Sequence, residues 1–157
     1  MYLGLDLGTS SVKALIVDAS GTAVASQSVL LQVIRRKAGW SEQDPQSWWD
    51  ATNRAVRSLG AEYPKEMRKI TGIGLSGQMH GLTALDANDT VLRPAILWND
   101  TRSASQAMQL DTGHPAFRQL GGNAVMPGFT APKAVWMAEN EPELFQRLGT
   151  VLLPKDY

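Results

Sequence analysis

The stretch Leu3-Gly-Leu-Asp-Leu-Gly-Thr-Ser-Ser-Val-Lys-Ala-Leu-Ile-Val-Asp18 decides how the chain folds. Leu3, Leu5 and Leu7 alternate before a bend, and Val12, Ala14, Leu15, Ile16 and Val17 follow it, so two buried β-strands flank Gly8-Thr9-Ser10-Ser11. The polar residues gather at the bend. Gly8 has no side chain to block an approaching group and can take φ > 0, which lets successive backbone N–H groups converge on an anion. Thr9, Ser10 and Ser11 add hydroxyl donors. Asp6 ends the first strand, where a carboxylate can hold a divalent cation, and Lys13 returns towards the same point from the second. Such a set suits a metal–polyphosphate complex. Gly and Ser are also common turn residues, so the bend alone leaves a plain hairpin open.

Working outward, Asp18-Ala-Ser-Gly-Thr22 makes a second turn and Val24 to Val33 a third strand. Arg35-Arg-Lys37 reads as a solvated loop, since three like charges do not make a nucleic-acid surface. Asp44 before Pro45 signals a helix start, and Trp48, Thr52, Ala55, Val56 and Leu59 repeat at helical spacing up to a stop at Gly60. Ile70 to Leu75 reads as a strand whose small residues fit close packing against the hairpin. It empties into Ser76-Gly-Gln-Met-His-Gly81. Leu82 to Leu85 is a further strand, Asp86 to Thr90 a turn, and Val91 to Leu97 leads to Trp98-Asn-Asp100. Two polar loops thus follow two strands, the position at which open α/β sheets hold ligands.

From Thr101 the pattern is helical until Gly113, with a short helix near Pro115 to Leu120. Asn123 to Pro132 reads as loop, Lys133 to about Asn140 as helix, a short helix follows Pro142, and Thr150 to Leu153 is a strand entering Pro154-Lys-Asp-Tyr157. There is no repeat and no low-complexity tract, and the chain reads as one domain that stops before its architecture is complete.

Composition excludes several functions. Lys+Arg 15 balances Asp+Glu 15, so the basic excess of a non-specific nucleic-acid binder is missing. With no cysteine, disulfides, thiol catalysis and cysteine-ligated zinc are excluded. His80 and His114 are too far apart in sequence to favour a histidine metal site. No stretch reads as a signal peptide or membrane span, so the expectation is a cytoplasmic protein with no membrane partner.

The loops carry the chemistry. His80 can donate to or accept from a hydroxyl, Gln78 can do both, and Met79 offers a soft apolar wall, a combination that can read a polyol. On residue types alone a structural turn with an exposed His80 is the commoner outcome. Asn99 and Asp100 can bind two adjacent hydroxyls while Trp98 covers a sugar face, and either could instead cap the helix that follows.

The ordered set Asp-Leu-Gly-Thr-Ser, Trp-Ser-Glu-Gln-Asp-Pro, Gly-Gln-Met-His-Gly, Arg-Pro-Ala-Ile-Leu-Trp-Asn-Asp, Met-Pro-Gly-Phe-Thr-Ala-Pro-Lys and Leu-Leu-Pro-Lys-Asp-Tyr resembles the N-terminal part of the FGGY carbohydrate kinases, from residue 1 to 157. That resemblance implies an α/β fold of the ribonuclease H-like or actin-like type, a mixed sheet opening with three antiparallel strands and flanked by helices. Residues 1–157 would be the sugar-binding, phosphate-loop domain, with the second domain absent. Glycerol kinases of the family typically carry Arg-Glu where Met79-His80 stands, which points to the pentulose branch. The implied reaction is ATP-dependent phosphorylation of D-xylulose to D-xylulose 5-phosphate, with ATP and Mg as cofactors and a homodimer as the assembly left open. The rivals are another sugar or polyol kinase, such as a ribulokinase or gluconokinase, and a non-catalytic actin-like nucleotide-binding module.

Residue by residue, the resemblance gives Asp6 to magnesium beside the transferring phosphate and Gly8, Thr9, Ser10 and Lys13 to the phosphate loop. Met79 and His80 match positions that contact the pentulose, and Asn99 and Asp100 would lie near the sugar. The family's general base, an aspartate in a Gly-Gly-x-Asp loop, has no counterpart here, so this span alone is expected to be inactive.

Overall fold

A computed structural model describes residues 1–157. In chain order the strands and helices are β1 (Tyr2–Leu7), β2 (Ser11–Val17), β3 (Ala23–Leu30), β4 (Glu42–Gln43), α1 (Pro45–Glu62), α2 (Pro64–Met67), β5 (Gly72–Gly77), β6 (Thr83–Leu85) and β7 (Ala95–Ile96). They continue with α3 (Ala104–Gly113), α4 (Ala116–Gly121), α5 (Thr130–Asn140), α6 (Pro142–Gln146) and β8 (Thr150–Leu152). The chain divides into two compact units, Met1–Val33 with Pro45–Gln78, and Ile34–Asp44 with Met79–Tyr157.

The first unit is a four-stranded sheet in the order β3-β2-β1-β5. β1 pairs antiparallel with β2 and β2 with β3, while β5 lies parallel to β1, so three antiparallel strands come first and a parallel one joins them. Alternation sets the faces. Leu3 and Leu5 of β1 stand opposite Ile16 and Ala14 of β2, and α1 closes this side with Ala55 and Leu59. Leu3, Ala14, Ile16, Ala55 and Leu59 are buried, each large apolar side chain contributing about 1.5–3 kcal/mol. Trp48 is also buried, as its helical spacing predicts.

Gly60 does not stop α1, which runs two residues further to Glu62. One glycine near a helix end costs only about 1 kcal/mol against alanine, and the ladder continues with the Tyr63 amide donating to the Leu59 carbonyl. The break comes at Tyr63, whose φ of −126° and ψ of 55° leave the helix because the ring of Pro64 disfavours helical geometry in the residue before it.

In the second unit β4 pairs antiparallel with β7 and β6 with β8. Leu82, Ala84, Ile96, Trp136 and Met137 form its core. β4 lies in a segment expected only to lead into the helix, and its pairing places Glu42 opposite Ile96. α5 begins at Thr130, three residues earlier than expected. Pro132 is tolerated there because amides in a helix's first turn have no intrahelical acceptor to lose. No helix is long and apolar enough to cross a membrane.

Candidate functional site

The hairpin turn is held tightly. The Gly8 amide donates to the Ser11 carbonyl at 3.0 Å, and a Cβ on Gly8 would stand 3.0 Å from that same oxygen. Gly8 is not among the residues with positive φ, so this position requires the missing side chain rather than left-handed backbone. Its N–H closes the turn instead of pointing at a ligand. Because β1 and β5 run parallel, their C-terminal ends lie side by side, with Leu7 opposite Gly77. Gln78 then crosses to the turn: its amide N–H donates to Leu7 O at 2.8 Å, its Nε2 to Gly8 O at 3.4 Å, and its Oε1 accepts from Thr9 Oγ1 at 3.1 Å. Gln78, a candidate polyol reader by residue type, has its carboxamide on the hairpin turn.

Asp6 stands opposite Lys13 on one side and Ser76 on the other, all three on the sheet face away from Leu3 and Leu5. Asp6 and Lys13 are exposed, and no ion pair joins them. The carboxylate is therefore open to a cation. No group of three or more His, Cys, Asp or Glu side chains forms a metal cage anywhere in the chain. A Mg site built from one carboxylate plus a ligand's phosphates needs no such cage.

In the second unit the sequence-predicted residues separate by exposure. Met79, Trp98 and Asn99 are exposed, and His80 is half-buried. Asn99 lines an open cavity of about 470 Å³ with Arg35, Arg36, Lys37, Trp40 and Ser41, so the basic loop forms one of its walls. Asp100 is buried, 1% exposed. Its Oδ1 accepts from Arg102 N and Nε, both at 2.9 Å, and its Oδ2 from Ser41 N at 2.6 Å and Arg102 Nη2 at 2.7 Å. Four donors fill this carboxylate, so Asp100 pins the Trp98–Asp100 turn to the segment before β4.

That anchor belongs to a larger buried ionic cluster. Glu42 contacts both Arg93 and Arg102, and Arg93 also pairs with Glu141. The Arg102 guanidinium lies 3.6 Å from the Trp40 ring centroid and 5.0 Å from that of Trp136. Two of the sequence motifs, Trp40 to Pro45 and Arg93 to Asp100, are in this way stitched together by charge, with Arg102 just beyond the second. Sequence reading missed Glu42 and Arg93 in this role, although charges set within apolar, proline-bearing runs were a visible signal.

His80 takes a left-handed backbone with φ of 63°, and its ring lies 4.8 Å from Phe129 at an interplanar angle of 31°. Its carbonyl accepts from Lys133 Nζ at 2.7 Å. Lys133 is fully buried, and its ammonium also donates to the carbonyls of Gly128 and Phe129. Burial holds the Lys133 pKa down to about 8, with Asp100 pulling it up and Arg102 pushing it lower. Gly128 has no room for a side chain, because a Cβ would fall 2.6 Å from Trp98 O. In sequence Lys133 is the end of the Met-Pro-Gly-Phe-Thr-Ala-Pro-Lys motif and the start of a helix, and nothing in its local sequence marks it as a clamp.

A mixed sheet with three antiparallel strands first and a parallel one beside them is an actin-like α/β fold. The chain belongs to the FGGY family of carbohydrate kinases, whose N-terminal domain model matches residues 1–157. It is 50% identical over 157 residues to the xylulose kinase of Escherichia coli (strain K12), covering 100% of this chain and 32% of that protein. Among solved structures it is similar to a xyloylose kinase from Brucella ovis, at 60% identity and a TM-score of 0.96, covering 99% of this chain and 32% of that one. The xylulose kinase from Rhodospirillum rubrum has a TM-score of 0.93 at 30% identity, again covering 99% and 32%. The chain thus spans about a third of the length of the relatives it matches.

Proposed function

We propose that these residues supply the phosphate loop and part of the sugar site of a kinase that transfers the terminal phosphoryl group of ATP to D-xylulose, giving ADP and D-xylulose 5-phosphate. The observation that carries this reading is 50% identity to a xylulose kinase across every position of the chain. The geometry is compatible with it. Thr9 and Ser10 would face the phosphates from a turn that the Gly8 amide closes, Lys13 would add positive charge, and Asp6 would hold magnesium, which supplies charge neutralisation at the phosphate oxygens when bound. His80 and Asn99 would take sugar hydroxyls, with Met79 and Trp98 as apolar walls. Asp100 would act by holding the turn that carries Asn99, since its carboxylate is filled by protein donors.

In the transfer a sugar hydroxyl oxygen bonds to phosphorus as the bond to ADP breaks, and its proton passes to a carboxylate base that the family resemblance assigns outside this span. The protein's part is alignment and charge stabilisation. A cytoplasmic setting and a homodimer are compatible with this reading, and sedimentation reports the assembly directly. The test is a substrate screen on the full-length enzyme. D-xylulose is expected to give the highest kcat/KM, and Asp6→Asn and His80→Ala each to lower it at least roughly 100-fold. Preference for ribulose or gluconate would replace the pentulose assignment with a related kinase. Full activity of Asp6→Asn would remove the magnesium role.

A further inference from the structure

We propose that Lys133 is a positioning residue for sugar recognition: its buried ammonium gathers the carbonyls of His80, Gly128 and Phe129 and so fixes the His80 imidazole against Phe129. The inference rests on the reading that His80 binds the sugar.

The placement of this lysine is costly on every local count. Its side chain is wholly buried. No carboxylate forms an ion pair with it, and its hydrogen-bond acceptors are all backbone carbonyls. It sits in the first turn of α5, where the helix dipole repels a positive charge. A buried cation without a direct counter-ion is expensive, and an apolar side chain of the same length would fill the space at less expense.

What an ammonium alone can do here is hold several carbonyls at one point. His80 O lies 2.7 Å from Nζ and Phe129 O 3.3 Å, with Gly128 O also bonded. His80 is a non-glycine residue in left-handed backbone, a strained conformation that persists only where its surroundings enforce it. The bond from Lys133 supplies that enforcement at the His80 carbonyl. The same ammonium ties down Phe129, whose ring is the surface on which the imidazole rests. It also secures Gly128, whose backbone passes against the Trp98 carbonyl. One side chain thereby sets the mutual placement of His80, Phe129 and the backbone of Trp98.

The experiment is steady-state kinetics on the full-length enzyme with Lys133→Met, Lys133→Gln, His80→Ala and the double variant Lys133→Met/His80→Ala, each checked for native circular dichroism. Removing a group that only orients a binding residue is expected to raise KM for D-xylulose about tenfold or more and leave KM for ATP unchanged. Lys133→Gln keeps two N–H donors and is expected to recover part of the loss. The double variant is expected to match His80→Ala alone, because a residue acting through His80 has nothing left to orient once the imidazole is gone. If Lys133→Met does not fold, Lys133→Gln carries the same comparison with His80→Ala. A folded Lys133→Met enzyme with KM for xylulose within about twofold of the parent overturns the inference, as does a double variant whose losses multiply. Failure of the unaltered enzyme to phosphorylate D-xylulose would instead remove the pentulose reading beneath it.

Discussion

Asp100 and Arg102 are two positions apart in sequence, yet their effect depends on where Glu42 and Ser41 have been brought. The Arg102 side chain is 1% exposed and faces the carboxylates of Asp100 and Glu42 with the Trp40 ring beneath it. Removing it would leave two carboxylates buried beside each other with only Arg93 and the backbone amides of residues 41 and 102 to answer them. Breaking one partner out of a buried ionic group typically costs ~3–5 kcal/mol. Arg102→Met is therefore expected to lower the unfolding free energy by about that amount in a urea titration. A loss below about 1 kcal/mol would mean that the cluster is already balanced without the guanidinium. The same environment explains why Asp100 and Asn99, neighbours of similar shape, cannot share a role: one carboxylate is filled and the adjacent amide faces an open cavity.

Among the elements, β5 carries an unusual surface. Ile73 and Leu75 stand opposite Leu3 and Leu5 and share their side of the sheet, but they are 64% and 67% exposed. α1 packs across β2 and β3 and stops short of them. Within residues 1–157 β5 is also the outermost strand, with β1 as its partner. Parallel strands are normally covered on both faces, and an uncovered apolar edge invites self-association. Replacing both residues with threonine in the polypeptide of residues 1–157 is expected to change stability by less than about 1 kcal/mol, since little burial is lost. Light scattering at high protein concentration should fall. Unchanged scattering, or a large loss of stability, would show that the two side chains are already covered in solution.

The same strand marks the limit of what the sequence makes legible. Strict alternation through Leu3, Leu5 and Leu7 reveals β1, and the turn after it is equally readable because Gly8 to Ser11 interrupts two apolar runs. The end of β5 is not readable, because Ser76 and Gly77 look like loop residues and become strand only by pairing with Asp6 and Leu7. In the candidate site, residue types pointed to His80, Asn99 and the hairpin. They could not reveal Lys133, whose partner His80 is 53 positions away, or the ion pair of Arg93 with Glu42 across 51. Local pattern encodes the faces of strands and helices, whereas such long-range contacts exist only once the chain has folded.

At the scale of the whole chain, phosphoryl transfer needs four provisions: a phosphate cradle, a cation site, a bound sugar and a base for the hydroxyl proton. The first three have candidates in Thr9 and Ser10 with Lys13, in Asp6, and in Met79, His80 and Asn99. The fourth has none. The chain has one Gly-Gly pair, Gly121-Gly122, and Asn123-Ala124 follows it, so no Gly-Gly-x-Asp loop is present. Asp100 cannot substitute, because both its oxygens are engaged and buried. General-base assistance is typically worth ~10²–10⁴-fold, and loss of alignment costs more again. The polypeptide of residues 1–157 by itself is therefore expected to release ADP from ATP no faster with D-xylulose than without it. A coupled ADP assay reads this directly. Sugar-dependent turnover near that of a whole kinase would mean that a base lies among these residues, and His80, the one imidazole among the candidate sugar contacts, would be the first to replace.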